Sequence, residues 1–322
     1  MVIDWGKIKD TFLKYLSDMR WIFIACAAVI LLIVVIVLIL RSMKKKKSVS
    51  QDKAEEKKPA HKSMVMDNGR FRIEIGNVQG TGEREEQQDA FAFSPTAKWK
   101  EKGFLAVLCD GMGGLDAGAA ISNKLVSDII SEFPYSFDEL KDGWILDSLS
   151  NEIYENYRGR GGTTVIITYL KDDKMWFASV GDSDLLLLRD GRIYAMNIRQ
   201  EYGNTLLSRA LDGAVSVEQA LTHHDAPALT EFMGAQHANP DYSIVPWDVK
   251  DKDVYLLCSD GISDTLSFEE IREAMKHDPS ECAEILEKGI MTKNKRYQDN
   301  YTAIIFAVHE IGGNYYEYDS KK

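Results

Sequence analysis

The stretch Phe104–Gly114, FLAVLCDGMGG, carries the reading of the fold. Its apolar run, Phe104 to Cys109, is too short for a helix. It is also too continuous for a half-solvated strand, so it reads as a strand buried on both faces. An aspartate, Asp110, stands at the end of that strand, followed by glycines. Val254–Gly261, VYLLCSDG, repeats the design with Asp260, and Met175–Asp184, MWFASVGDSD, repeats it with Asp182. Two more acids precede strands: Asp299 in QDNYT, just before an expected strand Thr302–His309, and Asp89 in REEQQDAF, beside Ala90–Phe93. Aspartate is a poor strand residue, and an isolated ionised carboxylate at a buried strand end is costly. A single case is a turn or a cap. Five of them point to convergence, and converging carboxylates repel unless cations lie between them.

The donor type selects the cation. Oxygen donors without nearby His or Cys suit Mg²⁺ or Mn²⁺ rather than zinc. The six histidines (His61, His223, His224, His237, His277, His309) show no metal-ligand spacing. Glycine after Asp110 permits close approach, so the Gly111 carbonyl can also ligate. Two hard cations bridged by a carboxylate acidify a shared water and clamp phosphoryl oxygens. Arg84, five residues before Asp89, is the candidate grip for a phosphate, since its fork matches phosphate bidentately.

Around these acids, residues 64–322 alternate short apolar strands with helical stretches and show no internal repeat. Strands are expected at Phe71–Gly76, Thr164–Leu170, Met175–Val180, Leu185–Arg189 and Val254–Cys258. Helical periodicity marks Ala117–Phe133, Trp144–Tyr157, Phe268–Lys276 and Ser280–Ile290. Tight turns such as Lys171–Lys174 and Asp190–Gly191 join neighbouring strands, which favours antiparallel sheets with helices packed outside over a doubly wound parallel sheet.

The chain has 322 residues, 45% of them hydrophobic and 28% charged, which excludes disorder and low-complexity repeats. Its four cysteines (Cys26, Cys109, Cys258, Cys282) form no CxxC pair, so neither a disulfide framework nor a zinc knuckle is expected. A net charge of −11 argues against a nucleic-acid partner. The charge is divided unevenly: residues 1–62 carry 13 Lys and Arg against 6 Asp and Glu, and the acidic excess lies in the remainder.

Trp21 to Leu40 is a run of 20 residues without a charge. A helix of that length spans about 30 Å, the thickness of a bilayer's hydrocarbon core. No small-residue cleavage site follows; Leu40 runs into Arg41. The basic flank Arg41, Lys44–Lys47, Lys53, Lys57 and Lys58 marks the cytoplasmic side. The expected organisation is a short N-terminal segment 1–20, a transmembrane helix 21–40, a basic flexible linker 41–63 and a catalytic body 64–322. The body would face the cytoplasm on a single-pass cell-membrane anchor.

In order along the chain, Arg84-x4-Asp89, Asp110-Gly-Met-Gly-Gly114, Gly162-Thr-Thr164, Gly181-Asp-Ser183, Cys258-Ser-Asp-Gly261 and Asp299-Asn-x-Thr302 resemble the motifs of the metal-dependent type 2C protein serine/threonine phosphatases. Met112 resembles the bacterial branch. The resemblance implies an α+β fold, a four-layer αββα sandwich of two antiparallel sheets flanked by helices, here preceded by one transmembrane helix. It implies Mn²⁺ or Mg²⁺ as cofactor, two ions with a weaker third. Asp110 would bridge two metals, Gly111 would ligate one through its carbonyl, and Asp260 and Asp299 would complete the other. Asp89 would act through metal-bound water, Asp182 would serve the third ion, and Arg84 would grip phosphate. The reaction implied is phosphoserine and phosphothreonine hydrolysis by in-line attack of a metal-bridging hydroxide, without a phosphoenzyme. Phosphorylated proteins, including a cognate kinase or its substrates, would be the partners.

Departures from the pattern are Gln87 for the usual asparagine, Gln88 where glutamate is frequent, Asp184 where arginine is frequent, and Gly161 for a methionine. These motivate an alternative, a catalytically weak pseudo-phosphatase that only binds. A small-molecule phosphatase with the same two-metal site is a third reading. A variable flap is expected at about residues 194–248.

Overall fold

The computed structural model describes residues 64–67, 70–95, 99–113, 117–140 and 143–311, together with Lys9 and Lys14. In chain order the strands are β1 (Met64–Asp67), β2 (Phe71–Gly80), β3 (Asp89–Phe93), β4 (Phe104–Met112), β5 (Gly162–Thr163), β6 (Val165–Lys171), β7 (Lys174–Val180), β8 (Asp184–Arg189), β9 (Arg192–Ala195), β10 (Asp241–Tyr242), β11 (Trp247–Asp248), β12 (Val254–Cys258) and β13 (Tyr301–Glu310). The helices are α1 (Trp99–Lys102), α2 (Ala117–Ser131), α3 (Phe137–Leu140), α4 (Trp144–Tyr157), α5 (Tyr202–Leu211), α6 (Val217–Thr222), α7 (Asp260–Ser263), α8 (Phe268–Ala274) and α9 (Pro279–Lys293).

The unbroken apolar runs are explained by burial on both faces, because side chains alternate across a strand. On β4, Leu105, Val107 and Cys109 face one apolar cluster with α2 and α4, while Phe104, Ala106 and Leu108 face another. On β13, Ile304, Phe306 and Val308 enter that second cluster, while Ala303, Ile305 and Ala307 turn to a third, under α8 and α9. Three apolar layers therefore separate helices, sheet, sheet and helices. One sheet has six strands in the order β1-β2-β13-β12-β8-β9; the other runs β10-β7-β6-β4-β3, with β11 on β7 and β5 on β4. Every strand pair in both sheets is antiparallel, as the tight turns require.

Local chemistry sets the helix entries. Asp278 accepts the amides of Ser280 and Glu281 ahead of Pro279, and Ser267 with Glu270 forms a capping box on α8. The start of α9 lies directly on β2 at Gly76, where a Cβ would meet the Pro279 carbonyl oxygen at 2.1 Å.

Expected and observed elements differ mostly at their ends. The strand expected at Thr164–Leu170 is β6 and begins one residue later, at Val165; Thr164 separates it from the short β5, which ends at Thr163. Thr164 is diverted to the backbone of Asp110. The segments 1–20, 21–40 and 41–63 lie outside the described residues, apart from Lys9 and Lys14. Among the described residues no helix is long and apolar enough to cross a membrane.

The inter-sheet layer is the test of this packing. Phe306 is fully buried, its ring centroid 4.9 Å from Tyr255 and 5.3 Å from Phe104. Phe306→Ala is expected to cost about 3–5 kcal/mol in urea denaturation; a loss below about 1 kcal/mol, the scale of a surface change, contradicts the layer assignment.

Candidate active site

The five aspartates come from strand ends on both sheets. Asp89 opens β3 and Asp110 lies near the end of β4, and the register places them directly opposite each other. Like charges directly opposite on antiparallel strands destabilise the pair. Asp260 follows β12 and begins α7, Asp299 precedes β13, and Asp182 sits in the β7–β8 turn after Gly181, whose φ of +107° favours glycine. Asp110 feels the charges of all four others: Asp89, Asp260, Asp182 and Asp299. The structure thus brings all five together.

Backbone and hydroxyl groups lock the two opposed acids. The Thr164 amide donates to the Asp110 carbonyl at 2.8 Å, and the Asp110 amide donates to Thr164 Oγ1 at 3.0 Å. This clasp is why the strand breaks at Thr164. Thr163 Oγ1 donates to the same carbonyl at 2.8 Å. Asp89 is buried, and its Oδ2 accepts from Thr302 Oγ1 at 2.7 Å and Ser259 Oγ at 2.9 Å, both from the opposite sheet. Gly111 follows Asp110 where α2 and the residue before β3 converge. A Cβ there would meet the carbonyl oxygens of Gln88 and Gly118 at 2.6 Å each.

Two of the carboxylates carry orphaned oxygens. Asp89 Oδ1 and Asp260 Oδ1 are buried without a hydrogen-bond partner. Asp253 shows what a structural buried aspartate looks like in the same chain. It is fully buried, and its oxygens accept from Arg189 Nε at 2.7 Å, Arg189 Nη2 at 2.5 Å, the Lys250 amide at 2.8 Å and Tyr255 Oη at 3.2 Å. The orphaned oxygens fit a divalent cation, which would supply the missing partner. The donor set is oxygen only, the chemistry of Mg²⁺ and Mn²⁺.

Proton affinity records the crowding. Burial, then the charge of Asp260, pushes Asp89 up to about 6 against its two hydroxyl donors. Burial, then Asp264 and Asp299, pushes Asp260 up to about 6. Burial, then Asp260, pushes Asp182 up to about 7, with Arg199 opposing. Asp110 is raised well above the ordinary range by burial and then by Asp89.

Arg84 lies at the same rim. Its Nη2 donates to Asp299 Oδ2 at 2.6 Å, and Asp299 Oδ1 accepts the Asn300 amide at 2.8 Å. Asn300, in the Asp299-Asn-x-Thr302 motif, is a hydrogen-bonding hub with no local signature of that role. Its Oδ1 accepts the Gln88 amide at 2.8 Å, and its Nδ2 donates to the Thr81 and Glu86 carbonyls, each at 2.9 Å. Gln87 is structural: its Oε1 accepts the Asp89 amide at 2.9 Å. The unexpected Asp184 is buried, and Arg199 reaches it at 3.9 Å.

The histidines need one correction. Sequence spacing shows no metal-type grouping, yet His223, His224 and Asp225 bring donor atoms within 4.8 Å of one another. Consecutive residues cluster regardless of sequence periodicity. This is the one such trio among the described residues, because the five acids spread over a wider constellation. His224 and Asp225 are exposed, and His223 Nδ1 already accepts the Asp225 amide at 3.2 Å. No buried orphaned oxygen stands there.

Comparison with known proteins follows the same outline. The family model described as protein phosphatase 2C matches residues 81–294. Protein phosphatase PhpP of Streptococcus pneumoniae is 28% identical over 186 residues, covering 54% of this chain and 73% of PhpP. The solved serine/threonine phosphatase of S. agalactiae superposes with a TM-score of 0.62 at 25% identity, over 73% of this chain and 98% of that one. The catalytic domain of the phosphatase PstP, solved in complex with two manganese ions, has the same fold. Its TM-score is 0.59 at 23% identity, over 74% of this chain and 99% of that one. This chain spans 34% of the length of Mycobacterium tuberculosis PstP.

Raised carboxyl pKa values make a pH prediction for the metal-free protein. Asp89, Asp260 and Asp182 hold protons when folded up to about 6 to 7 but release them near 3.8 when unfolded. The folded state binds more protons in that window, so stability is highest below it and falls as pH rises through it. Melting of the metal-free chain is expected to shift to lower temperature between those limits. Mn²⁺ is expected to raise the melting temperature more above the window than below it, since ligation needs the deprotonated acids. Melting that is flat across the window contradicts the clustering.

Proposed function

We propose, from the premise that the chain belongs to the protein phosphatase 2C family and is a protein-serine/threonine phosphatase, that its five-aspartate cleft hydrolyses phosphoserine and phosphothreonine in proteins with two Mn²⁺ or Mg²⁺ ions. The observation that supports this most is the environment of Asp110, which faces Asp89 across a strand pair and senses Asp182, Asp260 and Asp299. Its neighbours Asp89 and Asp260 present the orphaned oxygens. Manganese binding by PstP, a fold relative, agrees with the donor chemistry.

In this reading Asp110 and the Gly111 carbonyl would hold the ions, Asp260 and Asp299 would complete the second, Asp89 would act through water on the ions, and Asp182 would serve a weaker third. When bound, the ions supply an acidified water for in-line attack on phosphorus and neutralise charge on the phosphoryl oxygens. Arg84 turns from Asp299 to the phosphate, where its fork pairs two oxygens. Thr302 and Ser259 keep Asp89 in register for its role. Residues 21–40 anchor the enzyme in the cell membrane with residues 64–322 on the cytoplasmic side, near membrane-bound kinases and their clients.

Phosphopeptide hydrolysis by the full-length chain is expected to require Mn²⁺ or Mg²⁺. Asp260→Ala and Asp110→Asn are each expected to lower kcat by at least about 100-fold, a loss on the scale of a main transition-state stabiliser, with circular dichroism unchanged. An unimpaired Asp260→Ala enzyme refutes the assignment. Fractionation checks the anchor: the chain should stay with membranes after alkaline carbonate washing, and recovery in the soluble fraction would contradict it.

A further inference from the structure

Arg199 stands where three chain segments meet beside the cleft. Its Nη2 contacts Glu201 Oε1 at 2.8 Å, its Nη1 contacts Asp264 Oδ1 at 3.0 Å, and the same Nη1 faces Asp184 Oδ2 at 3.9 Å. Each acid is tied to something else that matters. Asp184 is two residues beyond Asp182. Asp264 closes the turn that Asp260 opens, its amide donating to the Asp260 carbonyl at 2.7 Å. Glu201 immediately precedes α5, the first helix of the flap.

The neighbouring residue makes a parallel join. Gln200 Oε1 accepts the Gly181 amide at 2.8 Å, and the Gln200 amide donates to the Gly181 carbonyl at 2.9 Å. Thr230 donates its amide to the Gln200 carbonyl at 2.8 Å, and the Tyr202 amide donates to Ala228 at 2.8 Å. Residues 199–202 thus tie the far end of the flap to the loop that carries Asp182.

Arg199 is half-buried, and Asp184 is buried with Oδ2 lacking a hydrogen bond. A buried carboxylate needs a compensating charge. A planar guanidinium can face three carboxylates at once, which an ammonium cannot do with fixed geometry.

We propose that Arg199 is a positioning residue that couples the flap to metal affinity: it holds the Asp182 loop, the Asp260–Asp264 turn and the flap entrance in one register. The proposal rests on the metal-site reading above, but its test does not depend on turnover. The sign of the effect separates positioning from a simple field. A cation beside a cation site repels the metal, so a field effect alone makes binding tighter when the charge is removed. Positioning makes it weaker.

The experiment is calorimetric titration of Mn²⁺ into the metal-free full-length chain, with hydrogen exchange on the same samples. Arg199→Met is expected to weaken Mn²⁺ binding by about tenfold, on the scale of lost outer-shell support. Exchange should rise at residues 181–184, 199–205 and 226–230. Arg199→Lys keeps the charge and the fold but loses the fork, and it is expected to weaken binding by several-fold in the same direction. Tighter or unchanged Mn²⁺ binding in Arg199→Met overturns the proposal. Should that variant not fold, wild-type affinity and exchange in Arg199→Lys overturn it. An absence of phosphopeptide hydrolysis by the wild-type chain would count against the enzymatic reading and leave this comparison intact.

Discussion

Repulsion among carboxylates gathered at one edge of two sheets is the constraint on which the rest of this molecule depends. Asp89 and Asp110 face each other across a strand pair, with Asp260, Asp182 and Asp299 close enough to raise the cost of ionising Asp110. A fold under selection for stability alone would separate or pair such groups, as it does Asp253 with Arg189. Here two oxygens are left without partners while hydroxyls and amides hold the acids in place. That combination of rigid support and missing counter-charge is what a preorganised cation site needs.

The rigidity comes from the core. Three apolar layers fix both sheets, and the strands that carry the acids are buried on both faces. The acids lie at strand ends, where the backbone leaves the ladder and glycines allow close approach. At Gly261, beside Asp260, a Cβ would meet the Asn300 carbonyl oxygen at 1.9 Å. The two loops that bear Asp260 and Asp299 therefore touch backbone to backbone, and neither can shift without the other.

Much of this was readable in the sequence because buried strands leave a plain mark. Val254–Cys258 and Trp144–Tyr157 appear at the expected bounds, since runs and helical periodicity are local properties. The convergence of five acids was also readable, from repeated apolar runs ending in Asp. The supporting groups were not. Asn300 acts through residues 81, 86 and 88, and Arg199 acts through 184, 201 and 264, and no local pattern encodes such distant partners. Thr164 reads as a strand residue by propensity, but its hydrogen bonds to Asp110 override that preference. The His223–His224–Asp225 grouping leaves no mark of metal-type spacing because adjacency is not a spacing pattern.

Anomalous diffraction from crystals of the protein grown with Mn²⁺ tests the central claim most directly. The account predicts two strong peaks in the cleft, both within coordinating distance of the Asp110 carboxylate, with Asp89 on one side and Asp260 on the other. Peaks confined to His223, His224 and Asp225, or none near Asp110 at saturating metal, would contradict it.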